Sequence, residues 1–287
     1  MPPVFVNMLA ARAKQRTTLY VRMPAITNIQ GLKAPVLAAA MAGNIDVASQ
    51  CLAAGIPVDA TDSRGWTALK YAVFSGNREG AELLLEHGAD CDIADNEDWT
   101  ALLSAIENRD LEFVNLLLSK GANPNAAPDI EDDDDQKGFS ALMRAAHYGE
   151  VEIVEALIAA GADLAQTDSD GAAAVHYAAL HRHTDCLELL LDRGADPNET
   201  GLDGHTPIGM FLVGLATAMS EEMVVDEAAA IATLDLLLER GGNFKSAAEV
   251  VAMEVGEDRI TVLDAAMFAA KQGGLQDLSS KFARLVE

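Results

Sequence analysis

Positive charge, aromatic rings and cysteine are all scarce in this chain, and each shortage removes a class of explanation. Twenty Lys and Arg face 45 Asp and Glu, a formal net charge of −25 at pH 7. Nucleic-acid binding runs on cations that neutralise phosphates, so no nucleic-acid partner is expected. The acidic excess keeps a chain soluble, and it attracts a basic protein partner over long range. The three cysteines, Cys51, Cys91 and Cys186, are odd in number and scattered. They make no disulfide framework and favour a reducing compartment, read here as the cytoplasm. Cys51 and Cys186 stand where second helices carry core aliphatics, and Cys91 stands in a turn. No run approaches the roughly 20 apolar residues of a membrane span, so no membrane partner is expected. Also missing are Gly-x-Ser-x-Gly, a phosphate-binding glycine loop and His-Glu-x-x-His. Apolar residues are not scarce: at 50% of 287 they are ample for a core.

What the chain has is a beat. The glycine of a Gly-Ala-Asp-like phrase recurs at Gly55, Gly88, Gly121, Gly161 and Gly194. The intervals are 33 residues except the third, which is 40 because an acidic insert lies inside it. A second phrase keeps the same time, with lead residues Ala34, Thr67, Thr100, Ser140, Ala173 and Thr206. Two markers sharing one period identify a stacked repeat, whose units bury their cores against neighbours. Each unit reads turn, helix, helix, turn. In 62–95, Asp62-Ser63-Arg64-Gly65 is a turn and Thr67 N-caps a helix carrying Leu69, Ala72 and Val73. Gly76-Asn77 breaks that helix, Ala81, Leu84 and Leu85 give a second apolar face, and His87-Gly88 ends it. Thr206-Pro207 is the clearest start signal, since proline fits the first helical position.

These phrases resemble ankyrin repeats, whose pattern is Asp-x-x-Gly-x-Thr-Pro-Leu-His-x-Ala, two helices, then Gly-Ala-Asp. The chain reads Gly65-Trp66-Thr67-Ala68-Leu69, Trp99-Thr100-Ala101-Leu102, Gly138-Phe139-Ser140-Ala141-Leu142, Gly171-Ala172-Ala173-Ala174-Val175-His176 and Gly204-His205-Thr206-Pro207-Ile208. The resemblance implies an all-α, ankyrin-type helical solenoid of about six to seven stacked helix-turn-helix repeats with short hairpin-like fingers. A basic extension or cap would occupy 1–31 and the repeat domain 32–287. The repeats would run 32–61, 62–94, 95–134, 135–167, 168–200 and 201–258, with 259–287 as C-terminal cap. Only His176 keeps the helix-start histidine, and its repeat has Ala173 in place of the capping hydroxyl. A missing N-cap costs about 1 kcal/mol, so that repeat is expected to be soft.

Four stretches leave the pattern. Residues 1–33 contain Arg12, Lys14, Arg16, Arg22 and Lys33 and no acid. They read as a cap, with an organelle-targeting peptide as the competing reading and Met23 as a second candidate start. Residues 126–137 hold Asp129-Ile130-Glu131-Asp132-Asp133-Asp134-Asp135. A calcium loop fails there, because the best alignment puts Lys137 and Arg144 on ligand positions, so a solvated acidic finger is expected. Residues 208–240 lengthen one helix pair, with Phe211, Leu212, Leu215, Met219, Met223, Val224 and Val225 along the added turns. Packing is the first expectation for them, and an exposed methionine-rich patch the second. Residues 242–260 add length before the final pair, whose Leu275, Leu278, Phe282 and Leu285 form one apolar stripe.

No catalytic, cofactor or metal site is expected. His181, His183 and Cys186 resemble ligands, but only His183 and Cys186 share a helix face, and a closed zinc site takes four ligands. His87, His147, His176 and His205 occupy different repeat positions and do not converge. The function implied by the resemblance is a scaffold or adaptor that binds a protein, possibly basic, through the concave face and finger tips. An acidic inhibitor or immunity-type protein neutralising a basic enzyme is the alternative. The sequence leaves the oligomeric state open. In the arrangement the chain resembles, the residue before each helix-start hydroxyl faces the groove. Trp66, Trp99 and Phe139 stand there as an expected row of partner contacts, bordered by Phe74, His147 and Tyr148. Rings that merely stack on adjacent fingers are the competing reading.

Overall fold

The computed structural model describes residues 44–128, 138–201, 204–220, 223–248, 251–255 and 258–286. The expectations for the basic N-terminus, for Ala34, for the acidic run from Asp129 to Asp135 and for the Met219 side chain fall outside the described residues. Helix α1 spans Ile45–Ala53. Five helix pairs follow: α2/α3 (Ala68–Phe74, Arg78–Glu86), α4/α5 (Ala101–Glu107, Leu111–Ser119), α6/α7 (Ala141–Tyr148, Val151–Ala159), α8/α9 (Ala174–His181, Thr184–Asp192) and α10/α11 (Pro207–Ser220, Glu227–Glu239). A short helix α12 (Phe244–Ala248) and a hairpin of β1 (Val251–Val255) and β2 (Asp258–Thr261) precede the last pair, α13/α14 (Val262–Gln272, Gln276–Val286). The described residues gather into two compact units, 44–144 with 155–162, and 145–154 with 163–286.

The helices start where side-chain oxygens meet orphan amides. Thr67, Thr100, Ser140, Thr206 and Thr261 each accept a hydrogen bond from the backbone N–H three residues on. Asn44, Asn77, Asp110 and Asp226 cap second helices in the same way. The second helices share one fully buried leucine position, at Leu84, Leu117, Leu157, Leu190 and Leu237, beside further buried leucines such as Leu187 and Leu234. Truncating such a residue to alanine costs about 2–5 kcal/mol, so this register alone holds each pair to its neighbours. Cys51 has the equivalent place in α1 and is half-buried. Side chains also tie consecutive loops together: Asp59 accepts from Asp90 N–H at 3.0 Å, and Asp92 from Asn123 N–H at 2.8 Å. In the second unit Asn198 accepts from Asn243 N–H and donates to the Gly241 carbonyl.

The helix that follows Ala173 has no side-chain cap, as the missing hydroxyl implies, and the His176 N–H goes to the Ala173 carbonyl at 3.0 Å instead. His176 is completely buried, its Nδ1 accepts from Ala173 N–H at 3.0 Å, and its Nε2 reaches the Glu199 carbonyl at 3.0 Å. The ring thus supplies only the return half of a capping box, to the N–H of the cap residue itself. The last finger is a true two-stranded ladder, with Val251 paired to Thr261, Glu254 to Arg259 and Val255 to Asp258. Its rich supply of Val, Ile and Thr suits a strand, and the added residues give it length to pair.

In the long pair, α10 has 14 residues and α11 has 13. Phe211, Leu212 and Leu215 are buried as expected, but Met223 is exposed and Val224 is 99% exposed. Helix α10 packs against both α8 and α13. At the end of the chain Leu275, Leu278 and Phe282 are buried, and Phe282 stacks on Phe244 of α12, ring centres 6.2 Å apart.

Candidate functional site

The finger turns of the first unit are built on one aspartate each. Asp62 Oδ1 accepts from the N–H groups of Arg64 and Trp66, both at 2.9 Å, and its Oδ2 takes the Tyr71 hydroxyl at 2.7 Å. Burial alone would raise its carboxyl above the ordinary value. The bonds from Tyr71, Trp66 and Arg64, with the Arg64 charge, outweigh that and hold it below. Asp95 Oδ1 accepts from Glu97 N–H at 2.9 Å and Trp99 N–H at 3.0 Å. Its second oxygen takes the ammonium of Lys70, which also donates to the Trp99 carbonyl at 2.8 Å. Lys70 is 3% exposed, and burial pulls its ammonium below the ordinary value against the pull of Asp95.

Cations and aromatic rings alternate along these turns. The Arg64 guanidinium lies 4.5 Å and the Lys70 ammonium 4.9 Å from the centre of the Trp66 ring. The Arg144 guanidinium lies 4.3 Å from the Trp99 ring and 4.7 Å from the Phe139 ring, with Glu107 at 3.7 Å. Such contacts are worth more when shielded from water, as those of the buried Lys70 and Arg144 are.

The expected row therefore needs a correction. Phe139 is 3% exposed under Arg144 and has no free face to offer a partner. Trp66 and Trp99 are half-buried. Phe74 is 40% exposed and packs on Trp66, ring centres 5.5 Å apart, so these two form the open end of the row. Sequence reading placed the rings correctly before each helix. It missed Lys70 and Arg144, whose apolar surroundings in their helices were the available signal.

His147 and Tyr148 lie in the second unit, at the end of α6. Their rings are 5.1 Å apart, edge to face, with the Tyr177 ring 6.1 Å from His147. His147 meets histidines outside the set of His87, His176 and His205: its ring is 4.2 Å from that of His181, which stacks 5.9 Å from His183. The Tyr177 hydroxyl donates to Asp168, whose other oxygen accepts from Asp170 and Ala172 N–H, repeating the Asp62–Tyr71 arrangement.

The two buried thiols, Cys91 and Cys186, are poor nucleophiles. Burial, with Asp92, Asp90 and Asp59 nearby, pushes Cys91 up to about 11, and burial with Asp185 pushes Cys186 up to about 12. Among the described residues no group of three or more His, Cys, Asp or Glu is arranged to hold a metal ion. None of the described helices is long and apolar enough to cross a membrane.

Comparison with known proteins agrees with this architecture. The family described as "Ankyrin repeats (3 copies)" matches at residues 8–95, 36–128 and 126–201. No curated protein matches the chain. A crystal structure of an ankyrin repeat domain from Acinetobacter baumannii AYE is similar at 29% sequence identity and a TM-score of 0.60, covering 73% of this chain and 98% of that one. The helix pairs form the all-α, ankyrin-type solenoid class that the repeats implied. Period, capping, core register and these likenesses agree, and the chain belongs to the ankyrin repeat family.

Proposed function

We propose that this protein is a scaffold or adaptor that binds a basic protein partner through the groove side and finger tips of its repeats. Ankyrin repeats generally mediate protein–protein interaction and are typically not enzymes. The observation that carries the choice of face is Phe74. It is a large ring left 40% exposed against a half-buried tryptophan, and it is the one exposed aromatic ring among the described residues of its unit. Aromatic anchors with rigid backing are the residues that dominate binding energy in interfaces. Trp66 and Trp99 remain the companion contacts in that unit, and the half-buried Tyr148 is a candidate contact of the other. Phe139 and His147 are withdrawn from the set because both are buried. The net charge of −25 supports a basic partner, and so do the exposed carboxylates Asp90, Asp92, Glu97 and Asp98 on the fingers.

The test starts from the immobilised full-length protein and identifies what it retains at about 50 mM and about 300 mM salt. Phe74→Ala should then weaken the identified partner by about tenfold or more, roughly 1.4 kcal/mol, with no loss of thermal stability. Undiminished binding by Phe74→Ala and by a folded Trp99→Ala variant would show that the wrong face was chosen. A single, very tight partner with steep salt dependence would instead favour the inhibitor reading.

A further inference from the structure

Three of the chain's six histidines meet at one joint of the second unit. His147 lies in the last turn of α6, His181 ends α8, and His183 precedes α9. His183 Nε2 donates to the His147 backbone carbonyl at 3.0 Å. Its ring lies directly over Gly149, where a Cβ would meet the ring at 2.6 Å, and the backbone there has a φ of +77°. The turn between α6 and α7 thus accepts the imidazole only because residue 149 is glycine. Alongside, the His147 ring meets that of His181 at 4.2 Å and 72°, and His181 stacks on His183 at 27°.

The titratable and charged neighbours come from every surrounding element. Helix α6 gives Tyr148, and the start of α7 gives Glu150 and Glu152. Helix α8 gives Tyr177, bonded to Asp168, and the turn after it gives Arg182. Helix α9 gives Asp185 and Cys186. Helix α10, packed on α8, has no titratable side chain. Thr184 bonds to Thr233 of α11, whose nearby Asp235 is paired with Lys281.

Imidazole is the side chain that ordinarily changes charge between about pH 5 and 8. A first proton would meet no other imidazolium, and the carbonyl ends of α6 and α8 and the acids at the start of α7 adjoin these rings in the chain. A second proton would put a like charge on a ring 4.2 Å away, with the fixed charge of Arg182 adjoining. Sites so close take up protons as one coupled system. The bond from His183 is indifferent to this, because Nε2 keeps its proton in both states. The His147–His181 contact is the part that gives.

We infer that His147, His181 and His183 form a coupled, proton-operated joint between two consecutive repeats, closed while the cluster holds at most one proton and loosened when it takes a second. The test follows the imidazole Cε1–H signals of the full-length protein by NMR from about pH 4.5 to 8. Replacing His181 with Asn should raise the His147 midpoint by about half a pH unit or more, as removal of a competing charge requires. The reciprocal variant His147→Asn should move His181 in the same direction, and either variant suffices if the other does not fold. Exchange of the Glu150 amide, which bonds to the Ala145 carbonyl, supplies the conformational readout. After correction for intrinsic rates it should quicken about fivefold from pH 7 to 5 in the parent and not in His181→Asn. Unmoved midpoints, or exchange that ignores pH, would overturn the proposal.

Discussion

Lys70 can carry its charge into the interior because three acceptors await it there: the Asp95 carboxylate, the Trp99 carbonyl and the face of Trp66. Removing it strands a buried carboxylate, so Lys70→Ala should lose about 3–5 kcal/mol in urea unfolding. Lys70→Met combined with Asp95→Asn should recover much of that, because the amide oxygen still serves the Glu97 and Trp99 N–H groups. His176 makes the complementary case of a buried group that must stay neutral. Its Nδ1 accepts and its Nε2 donates, and burial pushes the imidazole below its ordinary value of 6.5. The unfolded chain therefore takes up this proton at higher pH than the folded one does. The stability that depends on it is complete above about pH 6.5 and declines as pH falls below it towards the lowered folded value. Denaturation midpoints between about pH 5 and 8 should show that decline in the parent, and a smaller one in His176→Gln. Trp66 and Trp99 could be placed from the sequence because they fall at one position of the repeat. The burial of Phe139 could not, since it depends on which way the long side chain of Arg144, five residues on, folds over the ring.

At the level of the helix and its ends, the exit from each first helix needs a left-handed residue. Gly76 and Gly149 supply it at φ +70° and +77°, but Arg109 and Arg182 stand in the same place at +55° and +60°. A side chain in that conformation costs about 1–2 kcal/mol, against which glycine loses part through its greater freedom when unfolded. Arg109→Gly, at an exposed position, should therefore raise stability by about 0.5–1 kcal/mol, read from the urea midpoint. Caps and glycines were legible in the sequence because each acts within four residues along the chain. The bond from the Ala173 N–H to His176 was not legible in the same way, because its acceptor is a ring nitrogen where a capping box ordinarily has a glutamate or glutamine oxygen. The histidine joint escaped for a different reason. Its members stand seven, eight and ten places after their lead residues, Ser140 and Ala173, and only the stacking of α6 on α8 brings them together.

For the molecule as a whole, charge and repetition act separately. The net −25 governs approach to a partner, and the buried leucines of the second helices govern cohesion. Replacing residues 130–136 with a short neutral link should leave stability within about 0.5 kcal/mol, as surface changes usually do. The base of that finger is held outside the replaced stretch, by Gly138 N–H on the Pro128 carbonyl and Ala141 N–H on the Ala126 carbonyl. If the acids there steer a basic partner, the loss will appear in the association rate by stopped flow. It will vanish near 1 M salt, where the screening length is about 3 Å.

The closing pair of a finger also sets what the chain can tolerate over evolutionary time. Thr61 bridges Thr67 across five intervening residues, and Val251 bridges Thr261 across nine. In both cases the second member is the hydroxyl that starts a helix, so the seam stays fixed while its contents vary in number. Insertions at a fingertip are therefore silent to the packing beneath. The same seam would accept a grafted epitope or binding peptide, displayed at the edge of a scaffold whose helices need not be redesigned.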